Sequence, residues 1–249
     1  MVHTAINVYS VRELNESVPD VLERVADAGY DGIQFSGQHT PLDGNPEEIH
    51  ETLAETGLDV IAAHVGTDLF EKNLDRVIDT YETVSVSEAV VPYLPPEGFT
   101  SISNVERTVE RLEKLATELD AYGWNLHYHN HDHEFVDVDG ESAFNHLLEA
   151  TDIDIELDVG WALAGGHEPV ELLGRLGNRA SLVHFKDVKL DREARRGGHP
   201  VEIGTGDVDM AACADAARNA GVEWFIYEHD NPNDPEASIE HGAEFLASL

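Results

Sequence analysis

The 249-residue chain predicts a parallel (β/α)8 barrel, and three observations lead there. First, an amphipathic stretch closed by glycine and followed by a β-rich run occurs four times: VLERVADAG before YDGIQF, HETLAETG before LDVIAAHV, LATELDAYG before WNLHYHN, and ADAARNAG before VEWFIYEH. Second, the runs TAINVYS, AVVPYL, DIELDVG and SLVHFKD bring the strand candidates to eight. Their mean spacing is about thirty residues, the length of one strand-plus-helix unit. Third, the runs in the second half stay apolar until their last residues and then present His or carboxylate, as strands do when they deliver side chains to the carboxyl-terminal mouth of a barrel. A doubly wound open sheet is the alternative arrangement of the same units. No linker or low-complexity stretch interrupts the pattern, so residues 1–249 read as one barrel domain.

Each helix needs a stop, and Gly29, Gly57, Gly123 and Gly221 stand just past the helical stretches, where a left-handed residue ends the helix. Within strands, alternation orients the side chains. Ile153, Ile155, Leu157 and Val159 share one face, leaving Glu156 and Asp158 on the other, and His184 pairs with Lys186 in the same way. With the apolar faces against helices, the charged faces line the barrel, where an ionised group needs a partner. Glu156 and Lys186 are therefore expected to pair.

Composition narrows the partners. With 50 acidic and 15 basic side chains the formal charge is -35. Such a surface repels nucleic acid and anionic lipid, so neither nucleic-acid nor membrane binding is expected. The acids are spread through the helical segments rather than gathered in a tail, which favours a halophilic surface adapted to high salt over an acidic face for cations or a basic partner. Cys213 is the sole cysteine, so no intramolecular disulfide forms and no thiolate cluster holds a metal. MVHTAINVYSV lacks a basic, apolar leader pattern and no long apolar window follows; the expectation is a soluble, cytoplasmic protein. A homo-oligomer suits such barrels, but no interface pattern is legible.

The chemistry concentrates at the strand ends. His129, Asp158, His184 and Glu228 occur in NLHYHNH, DIELDVG, SLVHFKD and WFIYEHD. Carboxylate oxygens and imidazoles converging at one barrel end suit a single divalent metal, with Mn, Co, Mg, Fe and Zn all compatible. His127, His129 and His131 share a strand face, followed by His133 and Glu134; they read as a second metal site, a proton-transfer cluster or surface histidines. Lys186 either stabilises an enolate oxygen or neutralises Glu156. Gln34 and His64 sit where the second and third strands open into a pocket, and Trp161 offers an apolar wall for a sugar ring. Arg192, Arg195 and Arg196 read either as an anion site or as a solvated loop. The IGTGDVD turn reads either as an anion cradle or as flexible glycines with Asp207 as a helix N-cap.

The motifs YHNHDHEF at 128–135, ELDVGW at 156–161, VHFKD at 183–187, IGTGDVD at 203–209 and YEHD at 227–230 resemble the xylose-isomerase-like TIM-barrel superfamily of sugar phosphate isomerases and epimerases. NVYSVRE and DGIQFSG are similar to its first two strands, so the resemblance spans the chain. It implies a divalent metal held by a Glu, an Asp, a His and a Glu from strands five to eight. Asp158, His184 and Glu228 match the last three. At the first this chain has His129, so the expectation is that Glu134 folds back as the fourth ligand, with a His129 ligand as the alternative.

The activity implied is isomerisation or epimerisation of a small sugar or keto sugar through proton abstraction beside a carbonyl and a metal-stabilised enediolate, with Mn, Co or Mg, or else Zn, as cofactor. Glu228, His129, Lys186 and His131 are the expected catalytic groups. His64, Trp161, Arg192 and Gln34 are the expected substrate contacts. The histidine substitution leaves dehydration of a keto sugar or inosose as an alternative, and a non-catalytic sugar-binding barrel as a second. The superfamily also includes an endonuclease acting at abasic sites, whose basic DNA-facing loops this acidic chain lacks.

Overall fold

A computed structural model describes residues 2–249. Eight parallel strands close into a barrel in the order β1-β8-β7-β6-β5-β4-β3-β2. They are β1 (His3–Asn7), β2 (Gly32–Phe35), β3 (Asp59–His64), β4 (Glu88–Val91), β5 (Asn125–His129), β6 (Asp154–Asp158), β7 (Leu182–Phe185) and β8 (Trp224–Tyr227). The open-sheet alternative is excluded by the pairing of β1 with β8. Around them lie α1 (Val18–Ala28), α2 (Pro46–Thr56), α3 (Thr67–Glu82), α4 (Ile102–Asp120), α5 (Ala143–Ala150), α6 (Val159–Ala164), α7 (Pro169–Leu176), α8 (Met210–Ala220) and α9 (Pro235–Ser248).

Local chemistry sets these boundaries. Ser17 and Asp20 form a reciprocal capping box that starts α1, and Pro46 and Pro235 open α2 and α9 with their φ already helical. Gly29, Gly57 and Gly221 end their helices in the left-handed conformation, as the pattern requires. Gly123 is also left-handed, but α4 stops three residues before it, at Asp120. The N-cap of α8 is Asp209, accepting from Ala212 N, and not Asp207.

Strand alternation divides the side chains between two environments. Phe35, Tyr128, Leu157, Val183 and Phe225 join the layer between strands and helices. Ala5, Ile61, Ala62, Val90, Leu182 and Ile226 form a smaller apolar plug within the barrel. Above that plug the interior turns polar, and this reversal positions the site. Two short antiparallel ribbons decorate the connections, one pairing 137–138 with 141–142 and one pairing 187–190 with 198–201. Among the described residues no helix is long and apolar enough to cross a membrane.

Candidate metal centre

Glu156 forms the lowest polar layer. Its carboxylate, wholly buried, meets His64 Nε2 at 2.6 Å, His129 Nδ1 at 3.0 Å and His184 Nε2 at 3.0 Å, and accepts from Gln34 Nε2. Gln34 in turn accepts from Asn7 Nδ2 at 2.6 Å. Burial pushes the Glu156 carboxyl up, but His184 and His64 outweigh it and hold it well below the usual carboxylate range. The expected pairing of Glu156 with Lys186 does not occur. Strand register places Glu156 level with Leu182, so Lys186 lies four residues further along and belongs to a higher layer.

That higher layer holds the metal-type donors. Atoms of His129, Asp158, His184 and Glu228 lie within 4.8 Å of one another, and all four residues are buried. His184 has acceptors at both ring nitrogens, Glu228 Oε2 at 2.9 Å from Nδ1 and Gln34 Oε1 at 2.8 Å from Nε2. Burial pulls its pKa down, yet Glu156 and Glu228 raise it to about 10, so without a metal the ring is an imidazolium. Lys186 Nζ stands 2.7 Å from Glu228, 2.8 Å from Asp230 and 3.0 Å from Asp158 Oδ2. These carboxylates overcome the burial penalty and keep the lysine charged. Burial works the other way on Glu228, which Lys186 and His184 hold well below its ordinary pKa.

Two details decide whether this layer fits a divalent ion. Among the described residues Asp158 Oδ2 is buried without a hydrogen-bond partner, because Lys186 approaches it within charge-pair distance but outside hydrogen-bond geometry. Its other oxygen accepts from Trp161 N at 2.7 Å, and Asn130 clamps the Asp158 backbone through both amide groups. Two carboxylates and two imidazoles with one unspent, aimed oxygen match the donor chemistry of Mn, Co, Mg, Fe or Zn. A lower grouping of His64, His129, Glu156 and His184 is as compact. Both its Glu156 oxygens already face nitrogens, so it fits less well.

Glu134 does not join these donors. Its carboxylate accepts from Tyr128 Oη at 2.5 Å and from His131 N at 2.9 Å, pinning the short 133–135 turn behind the strand. His129 takes the fourth corner instead, with Nε2 3.8 Å from Asp158 Oδ2. The HxHxH run is split by depth. His127 sits on the opposite side of the Glu156 layer with Glu88, while His131 faces the mouth. His131 Nδ1 is buried with no partner among the described residues, and burial, with His129 next, holds this imidazole well below its ordinary pKa.

A cavity of about 590 Å3 opens above the donors, lined among others by Tyr9, Arg12, His64, Tyr93, His129, His131, Arg196, Glu228 and Asp230. Of the expected substrate contacts, His64 reaches this wall. Gln34 is buried beneath it in the Glu156 layer. Trp161 is covered by Arg196, whose guanidinium lies 3.3 Å from the ring centroid. Arg192 and Arg195 stay exposed on the 191–197 loop, and Arg196 alone of the three enters the cavity, bound to Asp132 at 2.7 Å.

The IGTGDVD turn does cradle an anion, but the anion is internal. The buried Asp187 carboxylate accepts from Gly204 N, Gly206 N, Val208 N and Val188 N. A Cβ on Gly206 would lie 2.1 Å from that carboxylate, so only glycine fits there. Gly160 is needed for a similar reason, since its Cβ would meet Lys186 O at 2.6 Å where α6 crosses the end of β7. Asn130, Asp187 and Arg12 are contributors that strand-end reasoning passes over.

Comparison with known proteins agrees with this architecture. The family model described as xylose isomerase-like TIM barrel matches residues 22–249. An inosose dehydratase from Geobacillus kaustophilus (strain HTA426) is 25% identical over 220 residues, 75% of this chain and 70% of the relative. A sugar phosphate isomerase/epimerase from Parabacteroides distasonis ATCC 8503 superposes with a TM-score of 0.81 at 21% identity, covering 100% of this chain and 95% of that one. An L-ribulose 3-epimerase gives a TM-score of 0.73 at 16% identity over 100% of this chain and 94% of the other.

Proposed function

The chain belongs to the xylose isomerase-like TIM-barrel family, and on that premise we propose that it is a divalent-metal-dependent isomerase or epimerase of a sugar or keto sugar. The observation that carries this reading is the convergence of His129, Asp158, His184 and Glu228 within 4.8 Å under a cavity of sugar size. These four residues would hold the ion, which when bound would polarise a substrate carbonyl and acidify the adjacent carbon.

The remaining work falls to the chain's own groups. His131, whose ring lines the cavity and which burial holds in its neutral form, takes the proton and returns it. Glu228 lies three strands away around the barrel and also faces the cavity, so its ionised carboxylate acts as a base on a different side of the substrate. Lys186, 2.7 Å from Glu228, fixes that carboxylate in its ionised form and adds positive charge where negative charge develops. His129 joins His131 as the second imidazole beside the reacting carbon, and His64 and Tyr93 bound the space a polyol would fill.

A second reading, loss of water from a keto sugar or inosose after the same proton abstraction, is favoured by the curated relative, an inosose dehydratase. One experiment separates the two. Protein loaded with Mn2+ is incubated in D2O with ketoses and inososes. Deuterium entering the substrate without water loss supports the isomerase, and net water loss supports the dehydratase. Absence of both deuterium incorporation and water loss with metal bound, or retention of metal by Asp158→Ala, overturns the proposal.

A further inference from the structure

We propose that the substrate carries a terminal anionic group, carboxylate or phosphate, and that Arg12 binds it at the rim of the cavity. The inference rests on the sugar-enzyme reading above and narrows its substrate class.

Two arginines line the cavity, and they differ in what is left to bind. Arg196 is stacked on Trp161 and committed to Asp132 at 2.7 Å, with Asp230 at 3.7 Å. Arg12 is held just as firmly but by other means. Its guanidinium lies 4.1 Å from the Tyr9 ring centroid, Nη1 donates to Tyr9 O at 3.0 Å, and its backbone carbonyl accepts from Gln38 Nε2. Gly37 keeps that nook open, since a Cβ there would lie 3.3 Å from Tyr9 Cδ2 and 3.8 Å from Arg12 Cβ.

The carboxylate nearest Arg12 is Glu13, 3.6 Å from Nε, and its side chain is 70% exposed, so the pair is solvent-screened and weak. Among the described residues nothing accepts from Arg12 Nη2. A guanidinium oriented by stacking, 20% exposed and with one edge unspent, is preorganised for a two-oxygen anion. The need for it follows from the whole chain. A formal charge of -35 opposes an anionic substrate, and a local fork is the contact that survives when salt screens long-range fields.

The test measures binding of three polyols to the Mn2+-loaded protein by calorimetry: glucitol, gluconate and glucitol 6-phosphate. The expected result is that one anionic probe binds at least ~tenfold more tightly than glucitol, in keeping with a charge-assisted hydrogen bond, and still does so in ~1 M salt. Which probe wins distinguishes carboxylate from phosphate. Arg12→Gln abolishes the preference while glucitol affinity and Mn2+ binding stay put, Arg12→Lys keeps part of it, and Arg196→Gln keeps it. Equal affinity for all three, no binding by any, survival of the preference in Arg12→Gln, or equal loss in Arg196→Gln overturns the assignment. The D2O experiment reads proton abstraction separately, so the reaction and the anion site fail independently.

Discussion

Replacing Lys186 with methionine removes the only ammonium among three carboxylates, which lie 2.7, 2.8 and 3.0 Å from Nζ. The volume is nearly kept, so the effect is electrostatic. Deleting one partner of a buried ion pair leaves uncompensated charge and costs about 3–5 kcal/mol. At 249 residues, with an unfolding entropy of about 2.1 cal/mol/K per residue, 4 kcal/mol lowers Tm by about 8 °C. A divalent ion on Asp158 and Glu228 would neutralise two of the three abandoned carboxylates. The Tm deficit of Lys186→Met should therefore be largest in chelator and shrink by more than half in saturating Mn2+. Differential scanning calorimetry of both proteins in both conditions reads this directly. A deficit that is the same with and without Mn2+ would refute the shared-charge picture, and a deficit under about 2 °C in chelator would show that the lysine is not paired as described.

Two further substitutions probe neighbouring parts of the site. Burial raises the Glu134 carboxyl to about 7 from an ordinary 4.5, so the native state binds the extra proton between these values and stability falls as pH rises through that window. Glu134→Gln should flatten the denaturation profile between about pH 4.5 and 7 and gain up to about 3 kcal/mol above it, with metal content unchanged; a profile parallel to wild type would rule this out. Glu156→Gln keeps the shape but weakens the acceptor that orients His129 and His184, and metal affinity measured by competition with a chelator should drop about 10–100-fold. Unaltered affinity would mean that the lower layer does not support the upper one.

Much of this was legible because strand periodicity and strand-end chemistry are local. The alternation in DIELDVG places Glu156 and Asp158 inside from sequence alone, and SLVHFKD does the same for His184 and Lys186. What the pattern lacks is height. Barrel stagger sets Glu156 beside Leu182, and that offset decides that Glu156 meets histidines while Lys186 meets Asp158, Glu228 and Asp230. The same missing dimension separates His127 from His129 and His131, which look equivalent along the strand. The family-like position of Glu134 points it toward the donors, but a buried tyrosine hydroxyl and a backbone amide satisfy it four residues past the loop's start. Asp187 shows the opposite case, in which a glycine-rich anion motif is real and its anion is a side chain of the protein itself.

The vertical order of charge explains why a polar barrel interior is tolerable and why it would bind a cation well. The apolar plug excludes water from below, so Glu156 is stable only because His64, His129, His184 and Gln34 all turn toward it. By drawing Nδ1 of His129 downward, Glu156 commits that ring's remaining nitrogen to the Asp158 side, 3.8 Å from Oδ2. A carboxylate behind the imidazole fixes its tautomer and strengthens it as a donor. Lys186 and the His184 proton then carry the positive charge that Asp158 and Glu228 require when no divalent ion is present. Both are displaceable in different ways, the proton by release and the ammonium by its long stem and its second partner Asp230. A divalent ion entering this layer would thus have to displace the His184 proton and the Lys186 ammonium, and neither exchange would require a strand to move.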